Sequence, residues 1–251
     1  MRRIDFEGSF NFRDLGGWQT NDGRTMRWQR LYRADSVHRM SDADVRRAHE
    51  DLGIRTLIDL RGDLEVQYGG VGALAELVVA RHHAPLSSRR EAVAIDATVA
   101  AAASSDRTPD AMVNQYLAIL DNSSDLIVSS IQAMASDEAL PAVFFCAAGK
   151  DRTGVLAAVV LGAVGVRDED IVADYVLTEE SIDAIISRFA SSEGAPAMYR
   201  ELPSSHFAPF AETMERVIDA VRSTHGSFAE YLTSRGLPAD ALRSLQTSLI
   251  E

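Results

Sequence analysis

Short apolar runs in this chain alternate with stretches of helical periodicity, and the alternation predicts an α/β fold. Arg55 to Leu60 and Ala142 to Phe145 are apolar runs that predict buried strands. The segment from Ser41 to about Leu52 and the segment from Ser123 to Ser136 have helical spacing, and each precedes one of these strands. Helix–strand steps of this kind favour parallel strands, so we expect a central, mostly parallel sheet flanked by helices.

Further elements are predicted on both sides of this region. Predicted helices run from Asp110 to Leu120, from Asp168 to Val176 with a continuation from Glu179 to Phe189, from Pro209 to Thr224, through a short segment capped by Ser227, and through a last segment with Pro238 in its first turn. Residues 190–208 are rich in Ser, Gly and Pro and predict a loop. Asn21-Asp22-Gly23 is a turn signal, and the extended run from Met26 to Tyr32 after it predicts a strand of a small hairpin.

Composition narrows the class of protein. The chain has 251 residues, 46% of them apolar, which suits a single domain over residues 1–251. A net charge of -12 argues against nucleic acid and against an anionic membrane surface as partners. The longest apolar stretch, Val155 to Val166, is too short for stable membrane insertion. One cysteine and a start without an apolar signal core favour a cytoplasmic protein, and secretion without a recognisable signal stays open.

Residues 87–110 differ from the rest of the chain. They contain an alanine-rich run from Ala97 to Ala103 and few large side chains that could anchor it. Alanine favours helix, so the segment is consistent with a helical, lid-like insertion over a pocket. A poorly ordered surface insertion fits the same composition, and the two interpretations stand side by side.

The chemistry concentrates where the apolar run ending at Phe145 meets an apolar helix. Cys146 ends the strand, and Arg152 follows it with five residues between. A loop at a helix N-terminus turns several backbone N–H groups toward one point, where the helix dipole adds positive charge. Ala147, Ala148 and Gly149 are small, so the backbone can approach a bound group closely. An arginine side chain can meet two phosphate oxygens with a planar pair of donors.

The same positive field favours a thiolate over a thiol, which makes the pocket an anion site with a sulfur nucleophile. Thr153 could donate a hydrogen bond to that sulfur, and Lys150 either contacts further phosphates or acidic groups of a substrate or is simply solvated. A lone cysteine after an apolar strand is most often a small buried hydrophobe. Here the positions of a phosphate loop are all occupied by the expected residue types, which favours the functional interpretation. These residues are Cys146, Gly149, Arg152, Thr153 and Gly154.

The loop resembles the signature of the cysteine-dependent phosphatases. Its full form, Cys146-Ala147-Ala148-Gly149-Lys150-Asp151-Arg152-Thr153-Gly154, is similar to that of the bacterial tyrosine and dual-specificity phosphatases that also act on phosphoinositides. Three more blocks are similar to the same family, namely Asn11 to Gly17, Arg30 to Arg33 and Gly53 to Arg61. The resemblance implies a cysteine phosphatase fold and the hydrolysis of phosphate monoesters through a cysteinyl-phosphate.

The substrate would be a phosphorylated protein, on tyrosine or on serine and threonine, or a phosphoinositide. The pocket supplies its own cations and the sequence has no Asp/His ligand cluster, so no metal or other cofactor is expected. A rhodanese-like sulfurtransferase also places a cysteine in an anion loop, but the spacing to arginine fits it less well. A phosphatase fold that binds phospho-ligands without turnover is the alternative from another class.

The general acid has more than one candidate. The resemblance favours Asp151, which lies inside the loop, while many cysteine phosphatases use an aspartate on a distant movable loop. Asp59 is the second candidate, because the carboxyl end of a strand is where α/β sheets bind ligands. It could instead simply pair with Arg61, and we favour that interpretation. Arg13 and Asp14 belong to the N-terminal motif, which implies supporting roles near the site.

One residue departs from the family pattern. The family usually has histidine immediately before the cysteine, where it helps to order the loop and to activate the thiol; here the residue is Phe145. Phenylalanine offers no hydrogen-bond donor. The loop amides, the helix dipole and Arg152 remain, so we expect thiol activation to be reduced and not lost.

Overall fold

A five-stranded sheet forms the centre of the computed structural model, which describes residues 2–87, 107–192 and 197–251. The strands are β1 (Arg13–Asp14), β2 (Leu31–Asp35), β3 (Thr56–Asp59), β4 (Ala80–His83) and β5 (Ala142–Cys146), in the spatial order β1-β2-β5-β3-β4. Strand β1 is antiparallel to β2, and the other neighbouring pairs are parallel. The prediction of an α/β fold with a mostly parallel sheet is confirmed.

Helices flank the sheet. They are α1 (Asp42–Arg46), α2 (Asp63–Gly69), α3 (Pro109–Asn122), α4 (Ser124–Ala133), α5 (Asp151–Ala163), α6 (Asp168–Val176), α7 (Glu179–Ala190), α8 (Met198–Glu201), α9 (Ala211–His225), α10 (Phe228–Ser234) and α11 (Ala239–Leu249). Short 3₁₀ turns span Val37–Arg39, Ala73–Glu76, Asp137–Ala139 and Ser204–Phe207, and a π-helical turn over Arg47–Asp51 extends α1. Within the described residues, no helix is long and apolar enough to cross a membrane.

The two faces of the sheet pack into different cores. Along β5, Phe144 and Cys146 belong to the larger core, which α3, α4, α5, α9, α10 and α11 contribute to. Val143 and Phe145 belong to the smaller core on the other face. Successive side chains of a strand point to opposite faces, which accounts for this division. Helix α5 is buried from Thr153 to Leu161 because it lies in the middle of the larger core.

Some boundaries differ from the predictions. The strand predicted from Met26 begins only at Leu31. The loop predicted over residues 190–208 is wrong in part, because it contains α8 and the turn Ser204–Phe207. Met198 and Phe207 are buried in a small cluster against α7, so two apolar anchors order a segment of otherwise loop-like composition. Most of the insertion predicted at 87–110, namely residues 88–106, lies outside the described part of the chain. The single domain over 1–251 stays a prediction.

Candidate active site

The predicted strand–loop–helix unit is present, and it lies at the carboxyl edge of the parallel strands. Strand β5 ends at Cys146, residues 147–150 form the loop, and α5 begins at Asp151. Strands β2 and β3 flank β5, so the carboxyl ends of all three lie side by side. This is the edge at which α/β sheets bind ligands. Cys146 is a free, buried thiol.

The carbonyls of Cys146 and Ala147, where β5 passes into the loop, are held by the segment that follows β2. The backbone N–H of Ser36 donates to the carbonyl of Cys146 at 2.9 Å, and the Ser36 hydroxyl donates to the carbonyl of Ala147 at 2.7 Å. Arg188, on α7, lies 3.4 Å from the same Ala147 oxygen through Nη2. The Arg188 guanidinium also donates to the buried Asp35 carboxylate at 2.7 Å, so Arg188 links the loop to the end of β2.

The next two loop carbonyls are held from the N-terminal motif and from β2. Asn11 Nδ2 donates to the carbonyls of Ala148 at 3.2 Å and Gly149 at 3.1 Å. Arg33 Nη2 donates to the Gly149 carbonyl at 2.7 Å. The C=O and N–H groups of a trans peptide point in opposite directions, so carbonyls held from behind turn the following N–H groups toward the site. The loop therefore presents a row of amide donors, which is the arrangement that an anion requires.

Gly149 is required by this close packing. Its φ is +66°, a conformation that side-chain-bearing residues rarely adopt. A Cβ added there would lie 2.7 Å from the Ala34 carbonyl oxygen and 2.9 Å from Asn11 Nδ2. Any side chain would displace the groups that hold the loop.

Behind the loop lies a buried charged cluster that contains Arg13. Asp174, on α6, accepts from Arg13 Nε at 2.9 Å and from Arg33 Nη1. Burial alone would raise the pKa of Asp174, but the two arginines outweigh it and hold its pKa below the usual range. Arg13 also donates to the side-chain oxygen of Asn11, which orients the Asn11 amide toward the loop. Arg13 thus lies behind the site, in a position suited to a supporting role.

Asp14, in contrast, braces the N-terminal turn. Its carboxylate accepts from the amides of Gly16 and Gln29, each at 2.7 Å. Strand alternation turns it away from Arg13, and burial raises the pKa of the Asp14 carboxyl. No hydrogen bond recorded for the described residues joins Asp14 to the loop.

Arg152 is fixed by a residue that the sequence analysis does not identify. Its Nη2 donates to Glu65 Oε1 at 2.8 Å and its Nη1 donates to Glu65 Oε2, forming a two-pronged ion pair. Arg152 Nη1 also lies 3.3 Å from the carbonyl of Leu60. Burial would raise the pKa of Glu65, but Arg152 dominates and lowers it to about 2. Helix α2 thus positions the guanidinium beside the loop.

Asp59 and Arg61 pair with each other, as the favoured interpretation expects. Arg61 Nε and Nη2 donate to the Asp59 carboxylate at distances of 2.6 to 3.2 Å. Arg61 also donates to the Gly70 carbonyl at 2.9 Å, and its guanidinium lies 5.4 Å from the centre of the Phe145 ring. The Asp59 carboxylate is therefore already engaged, which makes it the weaker candidate for the general acid.

Asp151, at the first turn of α5, lies among hydrogen-bond donors. Tyr116, on α3, donates to Asp151 Oδ1 at 2.7 Å, and Lys150 Nζ lies 3.4 Å from the same oxygen. Burial would raise the pKa of Asp151, but Lys150, Arg107 and the tyrosine outweigh it and hold the pKa below its usual value. The Asp151 side chain keeps 22% of its surface exposed, so these donors do not enclose the carboxylate completely.

The solvated interpretation of Lys150 is wrong. Lys150 is 3% exposed, and its ammonium donates to the carbonyl of Phe207 at 2.9 Å. The turn around Phe207 covers it, and burial lowers the pKa of Lys150. Thr153 Oγ1 is also buried, and it has no hydrogen-bond partner among the described residues, so the expected bond to the sulfur is not formed in this structure.

Comparison with known proteins agrees with this geometry. The profile of the tyrosine phosphatase family matches residues 4–251. This chain belongs to that family. The triple specificity protein phosphatase PtpB of Mycobacterium tuberculosis is 26% identical over 98% of both chains. A Cupriavidus necator protein named provisionally as a tyrosine-protein phosphatase is 28% identical over 86% of this chain and 79% of its own. A tyrosine-protein phosphatase of Nostoc commune is 27% identical over 56% of this chain and 50% of its own.

Several residues that support the site are not identified by the sequence analysis, among them Ser36 and Arg188 behind the loop and three residues on helices, Glu65, Asp174 and Tyr116. Glu65 lies four residues beyond the recognised block that ends at Arg61, and nothing local ties it to Arg152. Asp174 and Tyr116 lie in helices whose apolar spacing predicts only core packing. In the sequence, each is only a polar residue on an apolar helix face. Its role can be assigned only when the structure shows the group to which it is hydrogen-bonded.

His82 and His83 have separate partners. The first lies 3.1 Å from the Ser129 hydroxyl and the second 2.8 Å from the Arg61 carbonyl, each through Nε2. Among the described residues, no group of three or more His, Cys, Asp or Glu side chains is arranged to hold a metal ion.

Proposed function

We propose that this protein is a phosphatase that hydrolyses phosphate monoesters through a cysteinyl-phosphate on Cys146. Membership of the tyrosine phosphatase family supports the reaction class. The observation that carries the proposal is the chain after Phe145: the carbonyls of Cys146, Ala147, Ala148 and Gly149 are all held from behind, and Cys146 carries the thiol. Such a loop is a preformed anion site with a nucleophile attached.

In the first step, the Cys146 thiolate attacks phosphorus. The S–P bond forms as the bond from phosphorus to the ester oxygen breaks, and that oxygen takes a proton from Asp151. The loop amides and Arg152 hold the three remaining phosphoryl oxygens, whose charge spreads in the transition state. Glu65 serves this step by fixing the Arg152 guanidinium in one orientation.

In the second step, water attacks the phosphoryl group and the S–P bond breaks. The carboxylate of Asp151 accepts a proton from that water, which regenerates the acid, and inorganic phosphate leaves. The sulfur departs as a thiolate, and the buried, unpartnered hydroxyl of Thr153 is placed in the first turn of α5 where it can donate to it. The two steps need Asp151 first protonated and then ionised.

The surroundings of Asp151 have a consequence for pH. Burial would raise the pKa of Asp151, but Lys150 and Arg107 hold it below its usual value. A phosphate group entering the loop adds negative charge nearby and raises the pKa of that carboxyl. The protonated fraction of Asp151 falls as pH rises, so kcat/KM for esters that need the acid should be highest on the acidic side.

We assign phosphorylated proteins or phosphoinositides as substrates, with phosphotyrosine as the first to test. The name of the M. tuberculosis relative, a triple specificity protein phosphatase, supports a broad range. A cytoplasmic location agrees with a chain that has one cysteine, which the proposed chemistry needs as a free thiol.

The test is hydrolysis of 4-nitrophenyl phosphate by the protein and by Cys146→Ser. We expect steady turnover that the substitution abolishes, and a phosphate adduct on the acid-quenched protein. Because Cys146 is the only cysteine in the chain, an adduct on sulfur is unambiguous. Tight binding of the ester without turnover would show a phospho-ligand-binding protein. Turnover that survives Cys146→Ser would exclude the cysteinyl-phosphate.

A further inference from the structure

Two buried tyrosines connect the proposed general acid to the interior of the protein. The hydroxyl of Tyr116, on α3, donates to Asp151 Oδ1 at 2.7 Å and lies 2.8 Å from the hydroxyl of Tyr175, on α6. The rings are edge to face, with centroids 6.1 Å apart and planes at 85°. Tyr116 and Tyr175 are 0% and 2% exposed, so water competes little for these hydrogen bonds.

The direction of the chain follows from counting protons. A phenol carries one proton, and Tyr116 uses its proton on the Asp151 carboxylate. The bond between the two hydroxyls must then run from Tyr175 to the oxygen of Tyr116. Burial raises the pKa of both phenols, so both stay protonated and able to donate. The result is a donor chain, Tyr175 to Tyr116 to Asp151, that ends on the ionised carboxylate.

Resting on the proposed function, in which Asp151 transfers the proton, we propose that Tyr116 and Tyr175 form a buried relay that positions Asp151 and favours its ionised form. Both are positioning residues, since neither is placed against the phosphorylated group. Once Asp151 has given its proton to the leaving oxygen, the donor chain stabilises the carboxylate that must next accept a proton from water.

The relay also separates the two oxygens of the carboxylate. Tyr116 and Lys150 both approach Oδ1, at 2.7 and 3.4 Å. Among the described residues, no hydrogen bond to Oδ2 is recorded. Holding one oxygen by two groups fixes the rotation of the carboxyl, so Oδ2 becomes the atom that gives and takes the proton.

Gly154 makes room for the second tyrosine. It lies in the first turn of α5, and a Cβ added there would lie 3.0 Å from Cδ2 and 3.2 Å from Cε2 of the Tyr175 ring. The last glycine of the loop motif thus allows Tyr175 to approach α5 closely. In a chain of hydrogen bonds each link polarises the next, so the Tyr175 hydroxyl makes Tyr116 a better donor.

Other charged and titratable groups act on Asp151 and must be held constant in any test. Lys150, Arg107, Arg152 and Tyr199 act on Asp151 directly, and Cys146 and Glu65 act on it through Arg152. Replacing tyrosine by phenylalanine changes none of these charges. It removes one hydroxyl and leaves the ring packing in place.

The experiment measures kcat/KM against pH for Tyr116→Phe, Tyr175→Phe and a control, Tyr231→Phe. Tyr231 is also buried, and its hydroxyl donates to the carbonyl of Leu120 at 2.6 Å, so its loss removes a comparable hydrogen bond that is not made to Asp151. The substrates are 4-nitrophenyl phosphate, whose leaving group is good, and phenyl phosphate, whose leaving group is poor.

In Tyr116→Phe, the decline of kcat/KM for phenyl phosphate at higher pH should occur about one pH unit above that of the wild type. The reason is that a donor to the charged form of Asp151 has been lost, which raises its pKa. The shift in Tyr175→Phe should be smaller and in the same direction, and Tyr231→Phe should show none. The maximum rate on phenyl phosphate should fall about tenfold in Tyr116→Phe, since the acid is less well held, with little change on 4-nitrophenyl phosphate.

Unchanged profiles in both Tyr116→Phe and Tyr175→Phe would overturn the proposal and leave the pair as core packing. Should Tyr116→Phe fail to fold, Tyr175→Phe alone decides, because it leaves the bond to Asp151 in place and still predicts a shift. Failure of the proposed function looks different. If Asp151 is not the general acid, Asp151→Asn should lower kcat/KM for phenyl phosphate no more than for 4-nitrophenyl phosphate.

Discussion

Replacing Glu65 by glutamine tests whether the ion pair to Arg152 organises the site. The change removes one negative charge and keeps the shape of the side chain. The amide oxygen of glutamine can still accept from the Gly62 N–H, which now lies 2.7 Å from Oε2, so the start of α2 should survive. The same amide oxygen could still accept from Arg152 Nη1, but an NH2 group would stand in place of Oε1 and face Arg152 Nη2 as a second donor, so the two-pronged ion pair would be lost.

The magnitude follows from the pKa and the burial of the pair. A carboxyl moved from its ordinary pKa of 4.5 to about 2 corresponds to about 3 kcal/mol of stabilisation. The side chains of Arg152 and Glu65 keep 21% and 30% of their surface exposed, so solvent reduces this figure to about 2 kcal/mol. A looser guanidinium stabilises the transition state less, and we expect kcat/KM to fall about 10- to 100-fold, less than for complete loss of a donor.

The assay combines thermal or urea unfolding with hydrolysis of 4-nitrophenyl phosphate. Asp121→Asn is the matched control, because it removes a carboxylate from an exposed pair with Arg235 and should leave kcat/KM unchanged. The folded pKa of Glu65 is depressed, so its stabilising contribution is complete above about pH 5 and is lost as pH falls toward 2. The stability gap between the wild type and Glu65→Gln should close over that range. Wild-type turnover in a folded Glu65→Gln, or a faster rate, would refute the reasoning.

Four further predictions test the site. Arg152→Lys should lower kcat/KM by about 10²–10³-fold, since an ammonium cannot meet two oxygens in one plane; a near-normal rate would place Arg152 outside the site. Asp151→Asn should slow phenyl phosphate more than 4-nitrophenyl phosphate and remove the decline at higher pH. That pattern in Asp59→Asn instead would reassign the acid. Gly149→Ala should abolish turnover through its clash with the Ala34 carbonyl, and an active variant would show that the loop can shift. Treatment with EDTA should leave the rate unchanged, and loss that a divalent ion restores would contradict metal independence.

The parts that the sequence predicts are those whose causes are local. The strand, the small residues, the arginine and the helix start of the loop are contiguous, so their spacing carries the anion site directly. The buried strands Thr56–Asp59 and Ala142–Cys146 are likewise apolar runs bounded by their own turns. In each case the physical constraint acts over fewer than about ten residues.

The supports of the site have causes that are distant along the chain. Glu65 is 87 residues from Arg152, and Asp174 is 161 residues from Arg13. A single carboxylate in a helix gives no indication of its partner, since the same residue type would be solvated on most helices. Lys150 shows the same limit: the loop motif predicts its charge, but its burial depends on the turn that contains Phe207, whose carbonyl accepts from the ammonium.

The departure at Phe145 shows how one motif position can change without disordering the loop. Adjacent strand residues face opposite sides, so the Phe145 ring lies in the smaller core, under the Arg61 guanidinium, while Cys146 faces the other way. The loop carbonyls that a histidine could help to order are already held by donors from β2, the N-terminal motif and the residue after β2. What phenylalanine supplies instead is an apolar face for the Arg61–Asp59 pair at the edge of the site. Reduced thiol activation stays a prediction. The geometry argues that any reduction arises from the missing donor itself, because the loop that surrounds the sulfur is held without it.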